Sequence, residues 1–161
     1  VYSHRLGDLW LVGGASNSGG SVLKQFFTDK EMLELSEQLQ PGTPTGLDYY
    51  PLPGPGERFP INDPDLQPRI EPIPGDKTVF FQGLLEGISR IEQRGYCLLE
   101  ELGAPPLKRV FTAGGGCHNK AWSKIRQGML GVPVTAAIFS EAAYGSALLA
   151  AGRAMHLSSN Q

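Results

Sequence analysis

A strand-like run that leads directly into three consecutive glycines and then into a helix is the feature that most constrains the fold of this chain. Residues 109–113 favour a strand, residues 114–116 are all glycine, and a helical pattern extends from about His118 to Leu130. A second strand over residues 132–135 follows, and its proline indicates a position at a sheet edge. Strand, helix and strand in direct succession are typical of a sheet with helices on its faces.

One more helix completes the last third of the chain. Residues 142–149 are mostly small and apolar, and Ser140 is placed to cap their helix. Small side chains would allow this helix to dock closely on the sheet. The resulting β-α-β-α order predicts an α/β fold. The 161 residues suffice for one compact domain, so we treat residues 1–161 as a single unit.

A second glycine-rich turn lies near the start of the chain. Residues 9–12 predict a short buried strand, and residues 13–20 are all small, four of them glycine. Apolar residues at helical spacing then predict one helix from about Ser18, and another from Asp29, as its cap, to Leu39. Two such turns in one small domain can converge on one ligand from two sides.

Residues 41–76 predict a long irregular loop, because they hold most of the 13 prolines and at most one or two short strands, such as residues 48–50. Loops of this length in a compact domain are often functional. Several apolar residues predict that the loop packs on the domain instead of acting as a flexible linker: Tyr49, Tyr50, Leu52, Phe59 and Ile61.

The clearest helix extends from about Lys77 to Leu102, where apolar residues recur on one face and Asp76 can cap the start. Three glycines within it weaken its helix propensity. They are expected at positions where another backbone packs closely: Gly83, Gly87 and Gly95.

Composition excludes several classes of function. The 14 basic and 16 acidic side chains give a formal charge of -2, and no cluster of Lys and Arg with aromatic residues indicates a nucleic-acid partner. No apolar run approaches the roughly 20 residues that cross a bilayer, so we expect no membrane association. Cys97 and Cys117 lack a paired spacing, which favours a reduced, cytoplasmic protein. The three histidines lack ligand spacing, so we predict no metal site.

The turn at Gly114–Gly116 has the chemistry of a ligand site. Glycines let a ligand approach the backbone without a Cβ in the way, and the N-terminus of the next helix favours negative or hydrogen-accepting groups. Asn119 offers a donor and an acceptor at the helix mouth, and Trp122 suits packing against a planar apolar group. The alternative is a plain strand-to-helix turn, in which Asn119 caps the helix and Trp122 belongs to the core. The motif is neither a GxGxxG fingerprint nor a GxxxxGK(S/T) loop.

A hydrolase that uses Ser16 or Ser18 with His118 is an alternative function for these turns. The nucleophile-elbow pattern GxSxG is not met, because glycine is absent two residues after Ser16. His118 suits the start of a helix. Acidic residues are explicable as caps, turn residues or solvated charges: Asp8, Glu57, Asp63, Asp76 and Glu141. We therefore assign no catalytic residue in this chain.

Five segments, in order along the chain, resemble the C-terminal domain of the FGGY family of carbohydrate kinases, which has the actin-like ATPase (ribonuclease H-like) fold. They are a glycine-rich turn before a helix (LWLVGGASNSGGSVLKQF), a proline- and glycine-rich loop (DYYPLPGPGERFPINDPD), a long helix (LLEGISRIEQRGYCLLEELGA), an adenosine-binding motif (FTAGGGCHNKAWSKIRQGMLGVPV) and a closing small-residue helix (EAAYGSALLAAG). The glycine-run motif in this order with the other four is specific. Within the family, the chain is most similar to cyanobacterial and plant D-ribulose (xylulose kinase-like) kinases.

The resemblance implies ATP-dependent phosphoryl transfer to a sugar hydroxyl, with Mg²⁺ bound mainly through the phosphates and upstream residues. The sugar is expected to be a ketopentose such as D-ribulose or xylulose, and the location the cytoplasm, or the plastid stroma in a plant. At the position of Ser18 the family often has a glutamine. Five residues match nucleotide-contacting positions of the family: Gly14, Ser18, Gly115, Gly116 and Asn119. Trp122 matches a neighbour of the adenine in the most similar relatives.

By the same resemblance, the phosphate-gripping loop and the catalytic aspartate lie upstream of a segment like residues 1–12, and the sugar pocket lies further upstream. Phosphoryl transfer depends on such groups, so we expect this chain alone to be inactive and to associate with the missing kinase half. The other interpretation is a non-catalytic module of the same fold that binds a nucleotide or another chain. The sequence leaves open the sugar, the oligomeric state and whether the start at Val1 is natural.

Overall fold

The computed structural model describes residues 1–139 and 141–151, and it has the predicted α/β architecture. The strands are β1 (Tyr2–Leu6), β2 (Leu9–Gly13), β3 (Val110–Thr112) and β4 (Val134–Ala136). The helices are α1 (Gly20–Leu23), α2 (Asp29–Ser36), α3 (Lys77–Glu101), α4 (Lys120–Leu130) and α5 (Ala142–Ala150), with a 3₁₀ helix at Gly115–His118. The predicted cap Ser140 lies outside the described residues.

The strands form two small sheets. β1 and β2 make an antiparallel hairpin, with Tyr2 opposite Gly13. β3 and β4 are parallel neighbours, with Val110 opposite Val134, and α4 lies between them in the chain. Parallel neighbours need such a crossover connection, so the predicted strand-helix-strand unit is confirmed.

The hairpin is exposed, which corrects the prediction of a buried strand at residues 9–12. Trp10 is 68% exposed, and Leu9, Leu11 and Val12 are exposed as well. Successive residues of a strand point to opposite faces, so neither face of β2 is covered by the described residues. An apolar run predicts a strand, but it does not say which surface will cover that strand.

The core lies where α3 packs against α1, α2 and the long loop. Phe81 packs edge to face on Phe27, with ring centroids 5.2 Å apart. The buried cluster contains Leu23, Phe27, Leu35, Leu39, Tyr49, Phe80, Phe81, Leu84, Leu85 and Ile88. Asp76 caps α3 as predicted, because its carboxylate accepts the N–H of Thr78 at 2.7 Å.

Polar side chains on one face of α3 hold the loop of residues 41–76. They stand four residues apart, which places them one above another on the helix. The Gln82 amide donates to the Thr43 carbonyl at 2.8 Å. The Thr45 hydroxyl donates to Glu86 at 2.6 Å, and Arg90 donates to the carbonyl of residue 47 at 2.7 Å. The loop is therefore fixed along the helix, as its apolar anchors predict.

Glycines of α3 let the loop backbone approach the helix. A Cβ at Gly87 would lie 2.9 Å from the carbonyl oxygen of Tyr49, and one at Gly83 would lie 3.0 Å from the Tyr49 ring. The expectation of a closely packed backbone is confirmed at Gly87, whereas Gly83 and Gly95 are approached by side chains, at Gly95 by the Phe59 ring. The strand predicted at residues 48–50 is reduced to one isolated bridge between Tyr50 and Arg69.

Several predicted helix boundaries are wrong. Thr28, not Asp29, caps α2, because the Thr28 hydroxyl accepts the N–H of Glu31 at 3.2 Å while Glu31 accepts the N–H of Thr28 at 2.9 Å. This capping box satisfies two backbone donors at once. α2 ends at Ser36 instead of Leu39, and α1 is a single turn that begins at Gly20.

The closing helix α5 does not dock closely, contrary to the expectation from its small residues. Tyr144 and Leu149 are exposed, and a Cβ at Gly145 would meet no atom within 4 Å. A sheet of two short strands offers too little apolar surface to cover this helix.

Candidate functional site

The glycine run forms a tight turn between β3 and α4. Gly114 has a positive φ of 81°, a backbone conformation that favours glycine. The chain then makes the 3₁₀ helix before α4 begins after Asn119. The helix predicted from about His118 to Leu130 is observed as α4, which begins two residues later at Lys120, while His118 ends the 3₁₀ helix.

Asn119 caps α4, as expected for a plain strand-to-helix turn. Its side-chain oxygen accepts the N–H of Trp122 at 2.8 Å, which satisfies one of the free donors at the helix start. Its amide nitrogen donates to the Ser36 hydroxyl at 2.7 Å. Asn119 thus fixes the N-terminus of α4 against the end of α2.

Trp122 is half-buried and belongs partly to the core. Its indole N–H donates to the Ser89 hydroxyl at 2.9 Å and approaches the Leu85 carbonyl at 3.2 Å. A Cβ at Gly116 would lie 2.6 Å from the outer edge of the ring. The absence of a side chain at Gly116 therefore lets the indole lie against the turn.

These residues line a cleft of 680 Å³ between α2, α3 and the glycine run. A cavity of this size suits a small molecule of nucleoside dimensions. Its walls are formed by Gly20, Leu23, Lys24, Asp29, Met32, Leu33, Ser36, Phe81, Leu85, Ala113, Gly115, Gly116, His118, Asn119 and Trp122. Four of the six residues predicted to contact the nucleotide are thus brought together.

The other two predicted residues, Gly14 and Ser18, line a separate cavity of 350 Å³ beside α3. A Cβ at Gly14 would lie 2.3 Å from the Phe59 ring, and the Ser18 hydroxyl donates to the Pro51 carbonyl at 2.6 Å. The first glycine turn reaches the 680 Å³ cleft through Gly20. The two turns therefore line separate cavities, and among residues 13–20 Gly20 alone reaches the cleft that the second turn lines.

Glu57 is the residue that sequence reasoning missed. The sequence favours a cap, a turn residue or a solvated charge at this position, yet Glu57 is only 2% exposed. Its carboxylate accepts the Ser16 hydroxyl at 2.6 Å, the N–H of Asn17 at 2.7 Å and the N–H of Arg58 at 2.8 Å. Hydrogen bonds of this kind allow a carboxylate to be buried. The sequence contained no local signal for this, because Ser16 and Asn17 lie about forty residues away.

Tyr50 completes the surroundings of Glu57. Its hydroxyl donates to the Glu57 carboxylate at 3.1 Å. Burial, together with the neighbouring negative charge, raises the pKa of the Tyr50 phenol. The phenol therefore keeps its proton and remains a donor to Glu57.

The geometry gives no support to the serine hydrolase. The Ser16 and Ser18 hydroxyls donate to Glu57 and to the Pro51 carbonyl, and His118 lines the other cavity. A nucleophile would need the base within hydrogen-bond reach.

The described residues hold neither a metal cluster nor a membrane-spanning helix. Among residues 1–139 and 141–151, no group of three or more His, Cys, Asp or Glu side chains is arranged to hold a metal ion. No helix in the described part of the chain is long and apolar enough to span a membrane.

Comparison with known proteins identifies the family. Residues 1–154 match the FGGY family of carbohydrate kinases, C-terminal domain. A stretch of 55 residues is 34% identical to L-fuculokinase of Escherichia coli (strain K12), covering 34% of this chain and 12% of that protein. The crystal structure of ligand-bound xylulose kinase from Lactobacillus acidophilus aligns with a TM-score of 0.72 and 21% identity, over 94% of this chain and 32% of that chain.

The structural likeness establishes the class of the fold, the actin-like ATPase type that the sequence predicts. The chain belongs to the FGGY family of carbohydrate kinases and corresponds to its C-terminal domain. It spans about a third of the xylulose kinase chain and a smaller part of L-fuculokinase.

Proposed function

We propose that this chain is the nucleotide-binding lobe of a carbohydrate kinase that transfers the γ-phosphate of ATP to a sugar hydroxyl. The observation that carries the proposal is the 680 Å³ cleft at the N-terminus of α4, walled by the glycine run and Trp122. The glycine backbone and the indole that lies against it form one wall of the cleft, and this wall suits contact with a flat base and its ribose.

Asn119 can serve the helix and the nucleotide together. A side-chain amide has two N–H donors and an oxygen with two lone pairs. One donor is used by Ser36 and one lone pair by the N–H of Trp122. One donor and one acceptor position therefore remain for a ligand, so the capping role does not compete with binding. Gly115 and Gly116 supply the adjoining backbone.

Gly14 and Ser18 enter the proposal through the course of the first turn. The turn lines the 350 Å³ cavity at Gly14 and Ser18 and reaches the nucleotide cleft two residues later at Gly20. The Ser18 hydroxyl donates its proton to the Pro51 carbonyl, and its oxygen retains lone pairs that can accept a hydrogen bond. We assign both residues to the phosphate side of the nucleotide.

The catalytic aspartate and most contacts to Mg²⁺ are assigned to an upstream part of the kinase. Mg²⁺ would be held through the nucleotide phosphates, where it offsets charge that develops during transfer. Exposed apolar strands support such a partner, since Trp10 in β2 and Phe111 in β3 are 68% and 63% exposed. Sheets of two strands are marginal alone, and the upstream part would cover them.

The sugar is proposed to be a ketopentose, D-ribulose or xylulose, on the strength of the sequence resemblance. The location is proposed to be the cytoplasm, or the plastid stroma in a plant. Both proposals concern the whole protein.

The test is a coupled assay of ADP release with D-ribulose and D-xylulose as acceptors. We expect no sugar-dependent turnover from this chain alone and turnover once the upstream half is supplied. Sugar-dependent turnover by the chain alone would contradict the assignment of the catalytic group. Nucleotide binding without turnover after the upstream half is added would identify a non-catalytic module of the same fold.

A further inference from the structure

The Glu57 carboxylate accepts hydrogen bonds from the first glycine turn and from the long loop. One carboxylate oxygen accepts the N–H groups of Asn17 and Arg58 at 2.7 and 2.8 Å. The other accepts the hydroxyls of Ser16 at 2.6 Å and Tyr50 at 3.1 Å. Every partner is a donor, so the site is built for an acceptor with two equivalent oxygens.

The contacts continue from Glu57 along the turn. The Ser16 oxygen, whose proton goes to Glu57, accepts the N–H of Ser18 at 2.9 Å. The Asn17 amide donates to the Gly56 carbonyl at 3.0 Å, next to Glu57 in the chain. Ser16 and Asn17 are thus held directly by Glu57 and its neighbour Gly56, and Ser18 is held through Ser16.

Glycine turns need such support more than other segments. Gly19 has a positive φ of 137°, and a Cβ at Gly19 or Gly20 would meet no atom within 4 Å. These glycines contribute no side-chain packing, and glycine loses more backbone freedom on ordering than other residues. The hydrogen bonds that Glu57 accepts therefore restrict the turn's backbone, which the glycines do not do themselves.

We infer that Glu57 is a positioning residue that sets the shape of residues 13–20 for nucleotide binding without touching the nucleotide. Glu57 is buried among donors and is not one of the residues that line the cleft, whereas the turn reaches the cleft at Gly20. The inference rests on the proposed function for its link to the nucleotide. Its link to the shape of the turn rests on the hydrogen bonds alone.

A matched control exists in the same chain. Glu86 is also a buried carboxylate, 3% exposed, and it accepts the hydroxyl of Thr45 at 2.6 Å and the amide of Gln82 at 2.9 Å. These contacts hold the loop near residue 45, away from the first glycine turn. Glu57→Gln and Glu86→Gln therefore make the same chemical change at two buried sites that differ in what they hold.

The experiment measures amide hydrogen exchange and ADP affinity for the unaltered chain and both variants. Glutamine places an N–H₂ group against donors, so Glu57→Gln should speed exchange across residues 13–20 about tenfold and weaken ADP binding by a similar factor. Glu86→Gln should speed exchange near residues 43–47 and leave ADP affinity within about twofold, the range that a local change elsewhere permits.

Ser16→Ala is the milder second variant if Glu57→Gln does not fold. It removes the acceptor for the N–H of Ser18, and faster exchange at residues 17–18 is expected. Unchanged exchange across residues 13–20 in Glu57→Gln, or in Ser16→Ala where that replaces it, would overturn the inference. So would equal losses of ADP affinity in Glu57→Gln and Glu86→Gln. If the unaltered chain binds no ADP, the proposed function fails, while the exchange result still decides whether Glu57 shapes the turn.

Discussion

Arg126 and Glu92 form a two-pronged ion pair that joins α4 to α3. The Nε and Nη2 atoms of Arg126 lie 2.7 Å from the two carboxylate oxygens of Glu92. The third nitrogen donates to the Thr112 hydroxyl in β3 at 2.6 Å, and the guanidinium lies 5.5 Å from the centroid of the Trp122 ring. One buried side chain thus connects two helices, a strand and the indole that walls the cleft.

Arg126→Lys is expected to destabilise the chain by about 2 kcal/mol, because an ammonium retains the charge but not the planar fork of donors. The measurement is the free energy of unfolding in urea. Arg69→Lys is the matched control, since Arg69 pairs with Asp48 at an exposed site and should cost about 0.5 kcal/mol or less. Equal losses of unfolding free energy in the two variants would mean that the buried bidentate ion pair contributes no more stability than the exposed one.

Gly116→Ala is expected to reduce stability, and Gly115→Ala is expected to reduce ADP binding. A Cβ at Gly116 would lie 2.6 Å from the Trp122 ring, so Gly116→Ala should cost about 2 kcal/mol and shift the tryptophan emission. A Cβ at Gly115 meets no atom within 4 Å, so Gly115→Ala should leave stability nearly unchanged and weaken ADP binding. Urea unfolding and ADP titration of both variants give the test, and loss of stability in Gly115→Ala would contradict it.

Glycines in the two long helices should respond to alanine with opposite signs. Gly87→Ala should destabilise by about 2 kcal/mol, because its Cβ would press on the carbonyl of Tyr49 in the loop backbone. Gly128 in α4 has open space around its Cβ, so Gly128→Ala should stabilise by up to about 1 kcal/mol through helix propensity. Thermal unfolding measures both, and destabilisation by Gly128→Ala would show that this position is packed.

Glu31 should make stability depend on pH in acid. The hydrogen bond from Lys77, with those from Thr28, lowers the pKa of Glu31 from 4.5 to about 2. A pKa lowered by folding contributes stability that is present above pH 4.5 and is lost as the pH falls to about 2. Glu31→Gln, which preserves the capping box, should lose less stability over this window than the unaltered chain. Lys77→Met should also flatten the dependence, and parallel curves for all three proteins would refute this origin.

Features set by local pattern could be predicted from the sequence. The apolar face of α3 and its cap Asp76 follow from helical periodicity and from the preference of short acidic residues for helix starts. The glycine run and the capping Asn119 follow from the conformations that the turn requires. These signals lie within a few residues of what they determine.

Features set by distant partners could not be predicted in this way. Glu57 is buried because Ser16 and Asn17 meet it across about forty residues, and an acidic residue in a proline-rich loop otherwise resembles a solvated charge. Trp10 is exposed because nothing in the described chain covers β2, although its strand pattern is that of a buried segment. Both outcomes depend on tertiary partners, which periodicity does not contain.

The most direct test of the nucleotide site is an ADP titration of the Trp10→Phe chain, in which Trp122 is the one remaining tryptophan. Trp122 lies against Gly116 at the wall of the cleft, so a bound nucleotide should change its emission. We expect a saturable change in emission, and we expect Gly115→Ala to weaken the binding while the fold is preserved. A folded chain whose emission stays constant up to millimolar ADP would contradict the assignment of this cleft as the nucleotide site.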